Sequence, residues 1–240
     1  MLIHESTYRP EAGFASRIHR ARLDREIEVL NELKLPKVGR LADFGCSNGF
    51  LLETIQRDVS AVTEWEFVGF DRQRDLLALA EARGLPRTTF RQLDLNSTTD
   101  VGQYDLVTCF ETLEHVGDFQ TAVRGLLRAC ADGGHLVISV PYEIGIPGLA
   151  KFLGRMVLRK NAYRDFFDNR SKFRYFMTLL LGRRTDVFRE PPQEAWGPHL
   201  GFDNSVFESF LRSEAKGFDT IMRRTSFLGF NVVYAFRRGG

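Results

Sequence analysis

The chain has 240 residues, with 33 Lys and Arg against 31 Asp and Glu, a formal charge of +2. Its 43% hydrophobic and 27% charged content matches folded domains, which excludes a disordered chain and argues against a general nucleic-acid binder. No run of roughly 18 apolar residues occurs, so no spanning helix is expected, and the opening MLIHESTYRPEAGF lacks the layout of a secretory signal.

Residues 14–35 read as an amphipathic helix, with Phe14, Ile18, Ile27, Leu30 and Leu33 recurring at near-helical spacing among Arg and Glu, and Pro36 at its end. Strand and helix then alternate. Strands are predicted at 40–44, 67–70, 89–93, 105–110 and 136–140. Helices are predicted at 50–57, 72–83 and 118–130, the last capped by Asp118 and stopped by Gly133-Gly134. A helix at 206–216 and strands at 220–224 and 231–236 close the chain. Apolar strands separated by helices predict a parallel sheet covered on both faces. Such sheets bind ligands beyond the C-terminal ends of their strands. Cys46, Cys109 and Cys130 are odd in number and widely spaced, which suggests free thiols in a reducing cytoplasm.

Residues 141–197 interrupt the alternation. Leu149, Phe152, Leu153, Met156 and Val157 share one helical face, and Lys151, Arg155 and Arg159 form a basic stripe. Residues 151–190 carry eleven basic side chains and four acids, a local charge of +7 that leaves −5 for the rest. The stripe reads either as a solvated face over a packed apolar seam or as a surface for an anionic or lipid-carried ligand. Basic amphipathic helices also lie on membranes, so peripheral contact through 147–181 is a further expectation.

The run Leu41-Ala42-Asp43-Phe44-Gly45-Cys46-Ser47-Asn48-Gly49-Phe50 places two glycines between a strand and a helix. Gly45 and Gly49 allow a tight turn, and the helix start offers free N–H groups. Phe50 stands where a dinucleotide fingerprint needs its third glycine, which argues against NAD. The run resembles motif I of the class I S-adenosylmethionine (SAM)-dependent methyltransferases, with Ser47 in place of the middle glycine. Asp71 and Asp94 end the next two strands. A carboxylate at Asp71 can accept both ribose hydroxyls, and the resemblance puts Asp94 at the adenine amino group. Each acid singly also reads as a cap or turn residue.

The segment Tyr104-Asp105-Leu106-Val107-Thr108-Cys109-Phe110-Glu111-Thr112-Leu113-Glu114-His115-Val116 resembles the FDxVxxxExLEHV segment of the ubiquinone and menaquinone biosynthetic methyltransferases. Asp132–Pro141 resembles their PGGxLxISxP run. The likeness covers 40–141 and, more weakly, 199–236. It implies a Rossmann-like α/β fold, a doubly wound, mostly parallel seven-stranded sheet of order 3-2-1-4-5-7-6 with a helical lid insertion. The implied division is a helical segment (1–39), a SAM-binding core (40–141), an acceptor lid (142–197) and the rest of the core (198–240). The implied cofactor is SAM, held by Asp43, Gly45, Ser47, Gly49, Asp71, Asp94, Leu95 and Phe110.

For the acceptor, Glu111, His115 and His199 are the candidates. A His of near-neutral pKa suits deprotonation of a hydroxyl. Glu111, Glu114 and His115 share one side of a turn and, with His199, match a divalent-cation set. The same residues also read as turn caps, and the metal stays open. The expected reaction is methyl transfer to a small molecule, glycan or lipid-linked acceptor, at oxygen, in a cytoplasmic enzyme. The alternatives are a metal-assisted RNA 2′-O-methyltransferase and a non-catalytic methyltransferase-like binding subunit.

Overall fold

In the computed structural model, residues 13–97, 99–158, 169–189, 193–195, 199–226 and 229–240 are described. Arg159 of the basic stripe lies outside them. The strands are β1 (Arg40–Phe44), β2 (Glu66–Asp71), β3 (Thr88–Gln92), β4 (Tyr104–Phe110), β5 (Cys130–Pro141), β6 (Phe218–Thr225) and β7 (Asn231–Arg238). They form one sheet of order β3-β2-β1-β4-β5-β7-β6, the order expected. The first five strands run parallel, and β7 lies antiparallel between β5 and β6.

Side chains on the central strands alternate between two cores, as strand geometry requires. On β4, Val107 and Cys109 join one core with α4 (Phe119–Ala129) and α7 (Asn204–Glu214). Leu106 and Phe110 join the other, with α1 (Gly13–Glu32), α2 (Phe50–Asp58) and α3 (Arg74–Glu81). Val29 and Leu30 of α1 are buried in this second core, so α1 packs on the sheet itself. Truncating Leu106 to Ala in such a core costs about 2–5 kcal/mol.

Two helices are started by acids. Asp118 accepts the backbone N–H groups of Gln120 and Thr121, and Asp203 accepts those of Ser205 and Val206. One expected boundary is corrected. The helix ends at Ala129, and β5 begins at Cys130 rather than near 136. Gly133-Gly134 therefore lie within the strand, where the β4–β5 register slips between Tyr104 and Leu106. The glycine pair makes a bulge instead of a helix stop.

The insertion forms α5 (Gly145–Leu158) and α6 (Asn169–Leu180). They share a small core of Phe152, Tyr175, Leu179 and Leu200. The basic stripe is a correction too. Lys151 and Arg155 turn inward onto the buried Glu143 carboxylate, at 3.1 and 3.0 Å, and form neither a solvated face nor an open surface for an anionic ligand. Glu143 occupies the chain just beyond β5, and its charge draws the two cations off the surface.

Candidate active site

β1 lies between β2 and β4, where the strand order reverses, and its C-terminal end opens into a cavity of about 620 Å³. The turn after β1 is tight. Gly45 has φ +86°, and a Cβ there would run into the Thr112 side chain. Ser47 also takes a left-handed conformation, at φ +51°. Its N–H donates to Asp71 Oδ2 at 2.9 Å, while Asp71 Oδ1 accepts from the Gln73 N–H at 2.8 Å. Arg83 braces the turn from outside: Nε donates to the Asn48 carbonyl at 2.5 Å and a terminal nitrogen to Glu53 at 2.6 Å.

Of the expected cofactor residues, Gly45, Ser47, Asp71, Asp94, Leu95 and Phe110 line the cavity. Asp43 and Gly49 do not. Gly49, at φ +77°, serves the start of α2. Asp43 is buried beneath the turn and accepts from Thr108 Oγ1 at 2.8 Å. Burial, with Asp71 nearby, pushes its carboxyl up to about 7. Asp94 is held by the Asn96 backbone and side chain.

The sequence reading missed the roof. Arg22, Leu23 and Glu26 of α1 line the cavity, as do Glu194 and Ala195 of the insertion. Ala195 pairs with Val116 in an isolated bridge. Glu26 is buried, accepts from Ser139 Oγ at 2.6 Å, and is pushed by burial up to about 8. No motif marks these residues, because charged side chains on an amphipathic helix normally face water.

At the other end of the cavity stand Glu111, Thr112 and His115. Glu111 follows β4 with φ +48° and is gripped by Arg22 at 2.6 Å and by Asn231. It lies outside the short turn Leu113–His115, so the expected alignment of Glu111, Glu114 and His115 on one side is corrected. Glu114, His115 and His199 do come together, with one ligand atom from each within 4.8 Å of the others. Glu114 is fully buried, and neither carboxylate oxygen has a hydrogen-bond partner. Burial, with Glu111 nearby, holds its carboxyl well above the ordinary range. An orphaned buried carboxylate beside two imidazoles fits a divalent cation with nitrogen and oxygen ligands. Arg189 clamps the same turn through the Glu114 and Val116 carbonyls.

His199 has φ +65° and does not line the cavity itself. Its ring meets the His115 ring edge-on, centroids 4.6 Å apart. Nδ1 lies 3.0 Å from Glu143 Oε1. Burial, outweighing that carboxylate, holds His199 down at about 3, so it is neutral at physiological pH. Four non-glycine residues among those described have positive φ, and three of them are Ser47, Glu111 and His199. Backbone strain concentrates at such sites.

The fold and this site define a class I SAM-dependent methyltransferase domain. A family model described as a methyltransferase domain matches residues 14–177, and the chain belongs to that family, whose cofactor is SAM. The chain is 28% identical over 160 residues to a ubiquinone biosynthesis O-methyltransferase of Xanthomonas oryzae pv. oryzae (strain PXO99A), covering 58% of this chain and 64% of that protein. It is 34% identical over 134 residues to one from Methylococcus capsulatus, covering 50% and 54%. The matches thus span less than two thirds of these relatives. Among solved structures, it resembles magnesium protoporphyrin IX methyltransferase from Synechocystis PCC 6803 with bound SAH, at TM-score 0.61 and 17% identity over 98% of this chain and 92% of that one. The N-methyltransferase NodS from Bradyrhizobium japonicum WM9 gives TM-score 0.57 at 13% identity, over 93% and 98%. These two likenesses concern the fold.

Proposed function

We propose that the protein transfers the methyl group of SAM to an oxygen of a small-molecule, glycan or lipid-linked acceptor. The observation that carries this reading is a single cavity lined at one end by Asp71 and Asp94 and at the other by Glu111 and His115. Asp71 keeps lone pairs for the ribose hydroxyls beyond the two N–H groups it accepts. The sulfonium needs no further activation, so the site has to align the acceptor oxygen with the methyl carbon and exclude water. The C–S bond breaks as the O–C bond forms, S-adenosylhomocysteine leaves, and the acceptor proton passes to His115. That the relatives are ubiquinone biosynthesis O-methyltransferases supports oxygen as the acceptor atom.

A second reading rests on the orphaned Glu114 carboxylate. Glu114, His115 and His199 would hold a divalent cation, which supplies Lewis acidity to an acceptor hydroxyl. An RNA acceptor has less support, since Lys151 and Arg155 are spent on Glu143. No helix among the described residues is long and apolar enough to cross a membrane. Ile146, Leu153, Phe173, Leu180 and Leu181 are exposed on or beside the two lid helices, which supports peripheral contact with a lipid-carried acceptor.

Calorimetry with S-adenosylhomocysteine tests the cofactor half. Wild type should bind, and Asp71→Ala should bind at least tenfold more weakly with an unchanged circular dichroism spectrum. Equal affinity in both would refute the assignment, and no binding to wild type would favour the non-catalytic alternative. Transfer of labelled methyl from SAM to a panel of catechols and phenols, with and without EDTA, tests the acceptor half.

A further inference from the structure

Glu26 is a cavity residue that the cofactor motifs leave without a role. It sits on α1, is 2% exposed, and lines the cavity, as do Arg22, Gly45, Phe110 and Glu111. Ser139 Oγ donates to its Oε1 at 2.6 Å, across 113 residues of sequence. Ser139 is itself held firmly. It is fully buried, it pairs with Phe110 between β4 and β5, and its carbonyl accepts from the Glu111 N–H at 3.0 Å. The Glu26 carboxyl is therefore fixed near the C-terminal ends of β4 and β5. Its second oxygen, Oε2, has no hydrogen-bond partner among the described residues and, unlike the enclosed oxygens of Glu114, opens on the cavity.

On the proposed reading, Asp71 and Asp94 take the adenosine half of SAM, on the β2–β3 side of the cavity. The amino-acid half then runs past the β1 turn toward β4 and β5, where Glu26 stands. Its head is a zwitterion, and the ammonium needs acceptors. Five carboxyl side chains line the cavity among the described residues. Asp71 and Asp94 belong to the adenosine side and already accept N–H groups. Glu194 stands near them, since Asn96, which holds Asp94, also donates to the Glu194 carbonyl at 3.3 Å. Glu111 is spent on Arg22 and Asn231. Of the five, Glu26 combines enclosure, a fixed carboxyl and an unpartnered oxygen on the amino-acid side.

We infer that Glu26 binds the α-ammonium of SAM through Oε2, which makes α1 a contributor to cofactor recognition. Enclosure strengthens such a contact, because little water competes for either partner. Burial holds the Glu26 carboxyl up to about 8, and an ammonium beside it favours the charged form, as an opposite charge does. Ser139 supplies the hydrogen bond that keeps the carboxyl turned toward the ligand. The inference rests on SAM as the cofactor, and it adds a residue that lies outside every motif run.

Calorimetry on the full chain with three ligands tests this. They are S-adenosylhomocysteine, its deamino analogue, which lacks only the α-amino group, and methylthioadenosine, which lacks the whole amino-acid half. Wild type should prefer S-adenosylhomocysteine over the deamino analogue by about 10–100-fold, the worth of a hydrogen bond to a charged group. Glu26→Gln should lose most of that preference while its affinity for methylthioadenosine stays unchanged, which also shows that the variant is folded. Equal affinity of wild type for S-adenosylhomocysteine and the deamino analogue overturns the inference without any variant. An undiminished preference in Glu26→Gln overturns it too. If Glu26→Gln loses affinity for SAM but not for S-adenosylhomocysteine, Glu26 faces the sulfonium instead, and the ammonium assignment is wrong. If none of the ligands binds wild type, the cofactor reading fails and the inference falls with it.

Discussion

Arg22 on α1 and Glu111 just after β4 form an ion pair at 2.6 Å, although 89 residues separate them in sequence. Both side chains are largely enclosed, at 13% and 12% exposure. The pair ties the helix that roofs the cavity to the residue that begins its proposed acceptor end. Removing one partner strands the other, which costs about 3 kcal/mol for an enclosed pair. Arg22→Ala should therefore lower the melting temperature and weaken S-adenosylhomocysteine binding. The double variant Arg22→Met, Glu111→Gln should regain part of the lost stability, since no charge is then stranded. Additive losses in thermal melts would show that the two residues act separately.

Ser47 stands at φ +51°, where a side chain is strained, and its buried hydroxyl has no hydrogen-bond partner. A left-handed conformation costs a non-glycine residue about 1–2 kcal/mol. Glycine gives back about 0.5–1 kcal/mol of that through the entropy of its unfolded chain. Ser47→Gly should thus stabilise by about 0.5–1 kcal/mol and leave the Ser47 N–H bond to Asp71 in place. Denaturant titration should show a higher midpoint at an unchanged slope, with ligand affinity within about twofold. Gly45→Ala should do the reverse, because its Cβ meets the Thr112 side chain.

Local pattern carried the alternation of strands and helices and the glycine turn after β1, while the strand order came from the resemblance to the methyltransferase motifs. Asp71 and Asp94 were legible because each stands at or just beyond a strand end, and both line the cavity. Arg22 and Glu26, which reach the cavity from α1, and Asn231, which reaches Glu111 from β7, were not, because they come from distant elements and carry no spacing signal. Glu143 follows Pro141 by two residues, so attention to positions beyond strand ends could have found it. Lys151 and Arg155 misled for a related reason: helical spacing shows which side chains share a face, and only the fold shows what that face meets.

The fully buried Glu114 with no hydrogen-bond partner predicts a response to divalent cations. After EDTA treatment and gel filtration, Mn²⁺ or Zn²⁺ should raise the melting temperature. A ligand at about 100 times its Kd adds about 2.7 kcal/mol, which for a chain of this size is about 5–10 °C. Glu114→Gln should remove the response, and His199→Gln should reduce it. Absence of any shift in wild type would leave proton transfer by His115 as the chemistry of this end.

Glu26 predicts a particular pH dependence. Its carboxyl is raised from an ordinary 4.5 to about 8, first by burial, with Arg22 opposing and Glu111 adding to the rise. Between these two values the unfolded chain has released the proton and the folded chain still holds it. The folded state then binds more protons, so stability falls as pH rises through this window, and the contribution is fully favourable only below the ordinary value. The limiting slope for one group is about 1.4 kcal/mol per pH unit. Asp43 and Glu114 slope the same way, while the depressed His199 slopes oppositely below its ordinary 6.5, so wild type alone does not isolate Glu26. Glu26→Gln does, because the amide oxygen can still accept from Ser139 and nothing titrates. The stability of Glu26→Gln relative to wild type should rise steadily from pH 5.5 to 8 and level off above that. A difference that stays flat across this range in chemical denaturation would mean that Glu26 is already ionised in the folded protein.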